Sequence, residues 1–219
     1  VVISILVFVG LDIALRALRR RHGRAPIRAL PAAMLEPRPP QGIFLHPAHS
    51  WLRISSDGTL RVGVDEFLAE ALGEVEAVKM PRRGEKAKRG EALVTLTVGG
   101  RELAIVAPAA GEVIALNERA TSSPYLVGRD PYGAGWLVSL WTADQQEAIR
   151  SLRIGAGATA FLRQEVQRLA DFLTGHRPLA PAAVLADGGL PLRGAARALD
   201  DEGWGAFAAE FVPLVSEKG

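Results

Sequence analysis

Cysteine is absent from this chain of 219 residues, and histidine occurs only four times. Without cysteine, disulfide bonds, thiolate metal sites and thiol catalysis are excluded. The histidines are too few and too scattered to predict a metal site, although His46 and His49 stand three residues apart. No nucleophile is accompanied by a base and an orienting group, so the sequence predicts neither a metal centre nor an enzyme.

The positive charge of the chain is concentrated at one end. Basic residues number 26 against 24 acidic ones, yet residues 29–219 alone carry 20 basic and 23 acidic side chains. The other six basic residues are arginines close to the N-terminus, at Arg16, Arg19, Arg20, Arg21, Arg24 and Arg28. A nucleic-acid-binding protein would carry its positive charge on the folded domain, so we predict no nucleic-acid partner.

Residues 1–22 are predicted to form a transmembrane helix. Residues 1–18 are almost wholly apolar, with Asp12 the only charge in the first fifteen positions, and about 20 apolar residues span a bilayer as a helix. A signal peptide would place its basic residues before the apolar run, whereas here they follow it. A buried core helix or an amphipathic surface helix is the alternative.

The arginines that follow this run predict its orientation. The positive-inside rule puts the N-terminus outside and the main domain in the cytoplasm, as in a single-pass protein of a bacterial-type inner membrane. Arg16, Arg19, Arg20 and Arg21 are predicted at the membrane interface, where they can contact anionic lipid headgroups. Asp12 either extends toward these arginines or faces another helix.

Residues 23–42 are predicted to be a linker. The segment is rich in arginine, alanine and proline, with prolines at positions 26, 31, 37, 39 and 40. Such a composition favours an extended, semi-rigid chain. The linker would therefore hold the next domain away from the membrane.

Residues 43–143 have the pattern of a small all-β domain. Trp51–Ile54 and Leu60–Val64 alternate in polarity around Asp57-Gly58, which is a strong hairpin signal. Asp65 is predicted to cap a short helix, Glu66–Leu72, that Gly73 ends. Further strands are predicted at Ala77–Lys79, Ala92–Thr97, Glu102–Val106, Glu112–Leu116 and Trp136–Leu140. Short strands at close spacing indicate a small sandwich or barrel.

Several motifs within residues 46–140 resemble a known family. They are His49-Ser50-Trp51, Val62-Gly63-Val64-Asp65, Ala71-Leu72-Gly73-Glu74, Gly84-Glu85-Lys86, Lys88, Gly90-Glu91, Ala107-Pro108, Gly111-Glu112-Val113, Asn117-Glu118, Ser123-Pro124-Tyr125-Leu126-Val127, Asp130-Pro131-Tyr132-Gly133 and Gly135-Trp136-Leu137. In this order they resemble the H protein of the glycine cleavage system, a small carrier whose lipoyl arm is attached to a lysine at a hairpin tip. The resemblance implies a lipoyl-domain-like β-sandwich, or barrel-sandwich hybrid, of two small sheets.

The resemblance places the family's lipoyl lysine at Gly100, within the run Val98-Gly99-Gly100-Arg101. Glycine offers no amine, and no lysine lies between Arg89 and the C-terminus except Lys218. Arg101 is no substitute, because a guanidinium stays protonated and is a poor acyl acceptor. Two glycines suit a tight hairpin turn. We therefore predict a vacated attachment position and no cofactor.

Two features of residues 78–89 concern binding. Val78-Lys79-Met80 resembles the Met-Lys-Met of biotinylated domains, but Lys79 precedes the glycine-containing loop, so biotinylation is not predicted. A possible docking patch consists of six basic residues, Lys79, Arg82, Arg83, Lys86, Lys88 and Arg89. One interpretation is that this patch docks to an acidic partner or to anionic lipid. The other is that it is a solvated loop without a binding role.

Residues 144–219 are predicted to be a helical extension that the resemblance does not cover. Residues 159–176 place an apolar stripe on one helical face, made of Phe161, Leu162, Val166, Leu169, Phe172 and Leu173. A second helix is predicted over residues 201–212, with Trp204 and Phe207 on its apolar side. Either both helices pack on the sandwich, or one face is a partner surface.

Together these features predict a membrane-anchored, non-lipoylated, H-protein-like structural or docking subunit. Its predicted partners are other subunits of a multisubunit redox or energy-converting membrane complex, and the bilayer itself through residues 1–18. The alternative is a carrier that holds an acyl or lipoyl-type group by an atypical attachment, covalent or tight.

Overall fold

The computed structural model describes residues 37–175 and 193–214, and these residues form nine strands, six α-helices and one 3-10 helix. The strands are β1 Phe44–Leu45, β2 Ser50–Ile54, β3 Leu60–Val64, β4 Ala77–Lys79, β5 Lys86–Ala87, β6 Ala92–Val98, β7 Arg101–Val106, β8 Gly111–Leu116 and β9 Val138–Trp141. The helices are α1 Glu66–Leu72, α2 Glu118–Ser122, α3 Tyr125–Arg129, α4 Gln145–Ile149, α5 Ala156–Gly175, the 3-10 helix Ala195–Ala198 and α6 Asp201–Phe211.

The strands build two antiparallel sheets. The larger has the order β1-β2-β3-β9-β8-β5, and the smaller has the order β4-β6-β7. Alternate side chains point inward from each strand, and they include the fully buried Leu52, Val62, Leu96 and Ile105. The predicted, mainly β sandwich of two small sheets is confirmed.

Local signals predicted most element boundaries closely. The Asp65 carboxylate accepts a hydrogen bond from the Leu68 amide at the start of α1, and Gly73 ends that helix at a φ of 74°. The predicted strand Trp136–Leu140 is observed as Val138–Trp141. Immediately before it, the carbonyls of Ala134 and Trp136 accept hydrogen bonds from the Asn117 side chain and not from a neighbouring strand. Strands β1 and β5 and helices α2 to α4 are too short for a periodicity window to detect.

Both predicted C-terminal helices are present, and they cover each other's apolar faces on one side of the sandwich. Phe161 and Phe172 of α5 are buried together with Phe207 and Phe211 of α6. Phe211 reaches Phe67 of α1, with ring centroids 5.7 Å apart. Of the two alternatives left open by the sequence, the structure adopts packing on the sandwich.

The predicted transmembrane helix, residues 1–22, lies outside the described residues, together with Asp12 and the four interfacial arginines. The same holds for residues 23–36 of the linker. None of the helices within 37–175 and 193–214 combines the length and the apolar character needed to cross a bilayer.

Candidate functional site

The turn between β6 and β7 is an exposed hairpin apex formed by Gly99 and Gly100. Their φ angles are 60° and 75°, in the left-handed region that glycine adopts most readily. The two peptide N–H groups donate to the Glu76 carboxylate at 2.9 and 3.0 Å. The structure thus places Gly100 at the tip of a hairpin, where the sequence predicted it, and a nearby carboxylate holds the turn.

Three arginines join this part of the sandwich to the C-terminal extension. Arg101, next to the apex, donates to the carbonyls of Arg197, Leu199 and Asp200 at 2.8 to 3.2 Å. Its guanidinium also lies 4.4 Å from the ring centroid of Trp204. A single arginine therefore binds both the end of the 3-10 helix and the start of α6.

The other two arginines belong to the extension and point toward the sandwich. Arg197 donates to Glu76, the same carboxylate that holds the apex, at 3.1 Å. Arg193 donates to Glu70 of α1 at 2.6 Å and to the Gly128 carbonyl at 2.8 Å. The extension is thus attached beside the hairpin apex.

The predicted basic patch separates into two groups. Arg89 donates to the carbonyls of Glu147 and Ala148 and to the Ser151 hydroxyl, so it holds the segment around α4. The remaining five are exposed, namely Lys79, Arg82, Arg83, Lys86 and Lys88. Lys79 lies within β4 and not at a hairpin tip.

His46 and His49 have separate partners. The His46 Nδ1 atom accepts a hydrogen bond from the Ala48 amide, and burial, together with neighbouring positive charge, lowers the pKa of His46 to about 4. The His49 Nδ1 atom lies 2.8 Å from the Asp65 carboxylate. No group of three or more His, Asp or Glu side chains in the described part of the chain is arranged to bind a metal ion.

His49 begins a chain of charged groups that links the sandwich to both C-terminal helices. Its Nε2 atom lies 3.4 Å from Glu165 of α5, which is long for a hydrogen bond and is best described as an ion pair. Both Glu165 carboxylate oxygens accept from Arg168 at 2.7 Å, and Arg168 reaches Glu210 of α6 at 3.3 Å. We call this series, Asp65–His49–Glu165–Arg168–Glu210, the charged chain.

The imidazole and Glu165 are held in an apolar environment. His49 is fully buried, stacks on Phe161 at a centroid distance of 5.3 Å and contacts the tilted ring of Phe67 at 4.3 Å. Burial opposes the charge on His49, but Asp65 and Glu165 outweigh it and raise its pKa. Sequence reasoning did not identify Glu165, although an acidic residue within the apolar stripe between Leu162 and Leu169 was the available signal.

The two-sheet sandwich with a tight hairpin apex defines a lipoyl-domain type of protein. The family profile described as "Glycine cleavage H-protein" matches residues 44–165, which is more than half of the chain. The chain therefore belongs to the glycine cleavage H-protein family. The match ends within α5, so the 3-10 helix and α6 lie beyond it.

Individual relatives agree with this assignment. A glycine cleavage system H protein of Mycobacterium avium is 34% identical over 129 residues, which cover 59% of this chain and 93% of that protein. A probable glycine cleavage system H protein of Pyrococcus abyssi is 30% identical over 123 residues, 56% of this chain and 91% of that protein. The crystal structure of a glycine cleavage system H protein from Mycobacterium marinum superposes with a TM-score of 0.51 at 30% identity, over 58% of this chain and 98% of that chain.

Proposed function

We propose that this protein is a non-lipoylated, membrane-anchored member of the H-protein family that serves as a structural or docking subunit of a multisubunit membrane complex of the redox or energy-converting kind. The observation that carries this proposal is the hairpin apex, where Gly99 and Gly100 occupy both turn positions and Gly100 is exposed. A carrier arm joined by an amide bond needs an amine at this point, and neither residue has a side chain.

The residues around the apex support the loss of the arm. Arg101 is the basic residue that follows the apex in the chain, and its guanidinium is bound to three carbonyls of the extension. The lysines of the described segments, Lys79, Lys86 and Lys88, lie in or beside β4 and β5 and not at this apex. On this proposal the domain retains a docking scaffold without a cargo attachment point, has no cofactor and does not act as an enzyme.

The N-terminal segment and the basic patch supply the rest of the proposal. A transmembrane helix over residues 1–22, with a linker to residue 42, would keep the domain on the cytoplasmic side of a bacterial-type inner membrane and raise its effective concentration near a membrane partner. The five exposed residues of the basic patch would attract an acidic subunit of the complex. A covalent or tightly bound group on an atypical site is the competing function, and it predicts added mass.

The first test is the mass of the protein isolated from its native membranes. We expect a mass that equals the unmodified chain, in a membrane fraction that co-purifies with other subunits, because no lysine stands at the apex. Intact-protein mass spectrometry under denaturing and native conditions measures covalent and tight non-covalent additions respectively. An acyl or lipoyl-type addition in either spectrum would refute the proposal.

The second test restores an amine at the apex with Gly100→Lys. A Cβ atom at this position meets no other heavy atom within 4 Å, so the expected cost is the strain of a left-handed backbone, about 1–2 kcal/mol. We expect lipoate–protein ligase to lipoylate this variant, as shown by a mass gain of one lipoyl group. Gly99→Lys is the matched control, with the lysine one residue away, and we expect little modification. A folded Gly100→Lys protein that stays unmodified would contradict a vacated carrier site.

A further inference from the structure

Two arginines lie directly opposite each other on the outer face of the larger sheet. Arg53 of β2 and Arg61 of β3 are register partners, and they alternate with the buried Leu52, Leu60 and Val62. The Cβ atoms of such partners are about 5 Å apart, and like charges at this spacing destabilise a sheet. The pair is therefore unfavourable for folding.

Neither guanidinium forms an ion pair within the described segments. Hydrogen bonds from Thr59 and, to a smaller extent, the charge of Arg61 lower the pKa of the exposed Asp57, so Arg61 acts on this carboxylate from beyond ion-pair distance. Across residues 37–175 and 193–214, no carboxylate lies within ion-pair distance of Arg53 or Arg61. By contrast, Arg168 and Arg193 each contact a glutamate. Arg61 is exposed and Arg53 is partly exposed, so both can reach a second molecule.

Tryptophan rings support both side chains. The Arg61 guanidinium lies 5.2 Å from the Trp136 centroid, and that of Arg53 lies 5.8 Å from the Trp51 centroid. Trp51 is itself fixed, because its indole N–H donates to the Pro131 carbonyl. A guanidinium stacked on a ring keeps its in-plane N–H groups available, and less side-chain entropy is lost when it binds.

We propose that Arg53 and Arg61 form a docking surface for an acidic segment of a partner protein. Each planar guanidinium matches a carboxylate in a bidentate hydrogen bond. Carboxylates two residues apart on an extended chain lie on the same side of that chain, so one segment can present two of them to this face. Trp141 is 54% exposed. It lies two residues after Ser139, which is the register partner of Arg61 in β9, so both residues are on the same face of the sheet. The Trp141 ring therefore adds apolar contact area beside the arginine pair.

The number of charges favours a protein over a lipid surface. Recognition of anionic lipid typically uses clusters of about four to eight basic residues. The register of this sheet adds only Lys86 to the arginine pair on this face, and it places Lys86 opposite Glu112. The arginine pair lies on β2 and β3, and Lys86 of the basic patch lies three strands further along the same sheet, on β5. This docking surface depends on the proposed function in one respect, because both require that the protein has a protein partner.

The test measures binding of the full chain, in uncharged detergent micelles, to a fluorescent peptide of alternating Glu and Ser residues at low ionic strength. We expect Arg53→Gln with Arg61→Gln to weaken binding at least about tenfold, through loss of two bidentate contacts. Arg82→Gln with Arg83→Gln removes the same number of guanidinium charges from the basic patch, outside the strands of this sheet, and we expect less than about a threefold loss. The thermal midpoint of the arginine double variant should stay close to that of the wild type, because removal of a like-charge pair offsets the loss of the two ring contacts.

Three outcomes would overturn the proposal. Equal weakening by both double variants would mean that binding follows overall charge. A markedly lower thermal midpoint for the arginine variant would assign the pair a structural role. Unchanged peptide binding, with loss of co-sedimentation with vesicles of phosphatidylcholine and phosphatidylglycerol, would assign it to lipid. None of these results bears on the occupancy of the hairpin apex, which the mass measurement tests separately.

Discussion

Glu165→Gln is expected to lower the free energy of unfolding by about 3 kcal/mol near neutral pH, because it removes one member of a buried set of charges. Only 3% of Glu165 is exposed, and its carboxylate lies between His49 and Arg168. The amide has nearly the same shape but no charge, so a buried imidazolium would keep only Asp65 as its counter-ion. Denaturant unfolding of the two proteins measures the difference.

Glu210→Gln provides the matched control. Glu210 also contacts Arg168, at 3.3 Å, but its side chain is 42% exposed. Exposed ion pairs contribute about 0–1 kcal/mol, so we expect a correspondingly small loss. Equal losses of unfolding free energy in the two variants would show that burial does not strengthen the interactions of the charged chain.

The charged chain also predicts how stability changes with pH. Because Asp65 and Glu165 raise the pKa of His49 against the effect of burial, the folded state binds this proton more tightly than the unfolded state, whose histidine has a pKa of about 6.5. The resulting stabilisation is complete below about pH 6.5 and is lost as the pH rises through the folded pKa. We expect the wild type to lose more stability than Glu165→Gln between about pH 6.5 and pH 9. Parallel pH profiles would contradict a charged His49.

Glu165 has the opposite effect on the acid side. Burial disfavours its carboxylate, but His49 and Arg168 more than compensate and lower its pKa. The Glu165 carboxylate therefore stabilises the fold fully above its pKa in the unfolded state, which is about 4.3. This stabilisation disappears as the pH falls through the lower pKa of Glu165 in the folded state. The wild type should lose this contribution on acidification, whereas Glu165→Gln has none to lose.

Arg101→Ala is expected to release the C-terminal extension from the sandwich. The change leaves the carbonyls of Arg197, Leu199 and Asp200 without their charged donor and removes the contact with Trp204. A hydrogen bond to a charged group contributes about 1.5–3 kcal/mol. Because the three carbonyls share one partly exposed guanidinium and can bind water once it is removed, we expect a loss of about 2–3 kcal/mol in local stability. Hydrogen exchange should then accelerate at least about tenfold in the 3-10 helix and α6.

The role of Arg101 is tested by which amides exchange their hydrogens faster in the Arg101→Ala variant. Amides of β2 and β3 should be unaffected, because their pairing does not involve this arginine. Arg101→Lys should show most of the same effect, since an ammonium group cannot reproduce the planar fork. Arg129→Ala, at the exposed end of α3, should change stability by less than about 0.5 kcal/mol. Faster exchange spread evenly over the sandwich would refute a local attachment.

Most of the fold could be predicted because its signals are local. The alternation on either side of Asp57-Gly58 depends only on neighbouring residues, and so does the capping of α1 by Asp65. The exposed Gly99-Gly100 turn follows from the requirement for positive φ at both turn positions. The apolar stripes predicted α5 and α6 within a few residues of their observed limits, Ala156–Gly175 and Asp201–Phe211.

The site was less predictable, because its contacts join distant parts of the chain. The sequence placed Arg89 in a group of six basic residues without distinguishing it from the others. In the structure, its hydrogen bonds hold the segment around α4 in place. Glu165 was not identified from the sequence, and only the approach of α5 to His49 makes it a buried counter-ion. Hydrophobic periodicity identifies which face of a helix is buried, but not which polar group it will meet there.

The amino-acid sequence alone determined the hairpins, the short capped helix and a glycine apex without an amine, because each depends on a few adjacent residues. Only the tertiary structure decided that Arg101 would bind the extension and that Glu165 would contact His49. It also decided that Arg53 and Arg61 would form no ion pair among the described residues. Their surroundings are set by packing between segments far apart in the chain, and that packing follows from the burial of the whole apolar core.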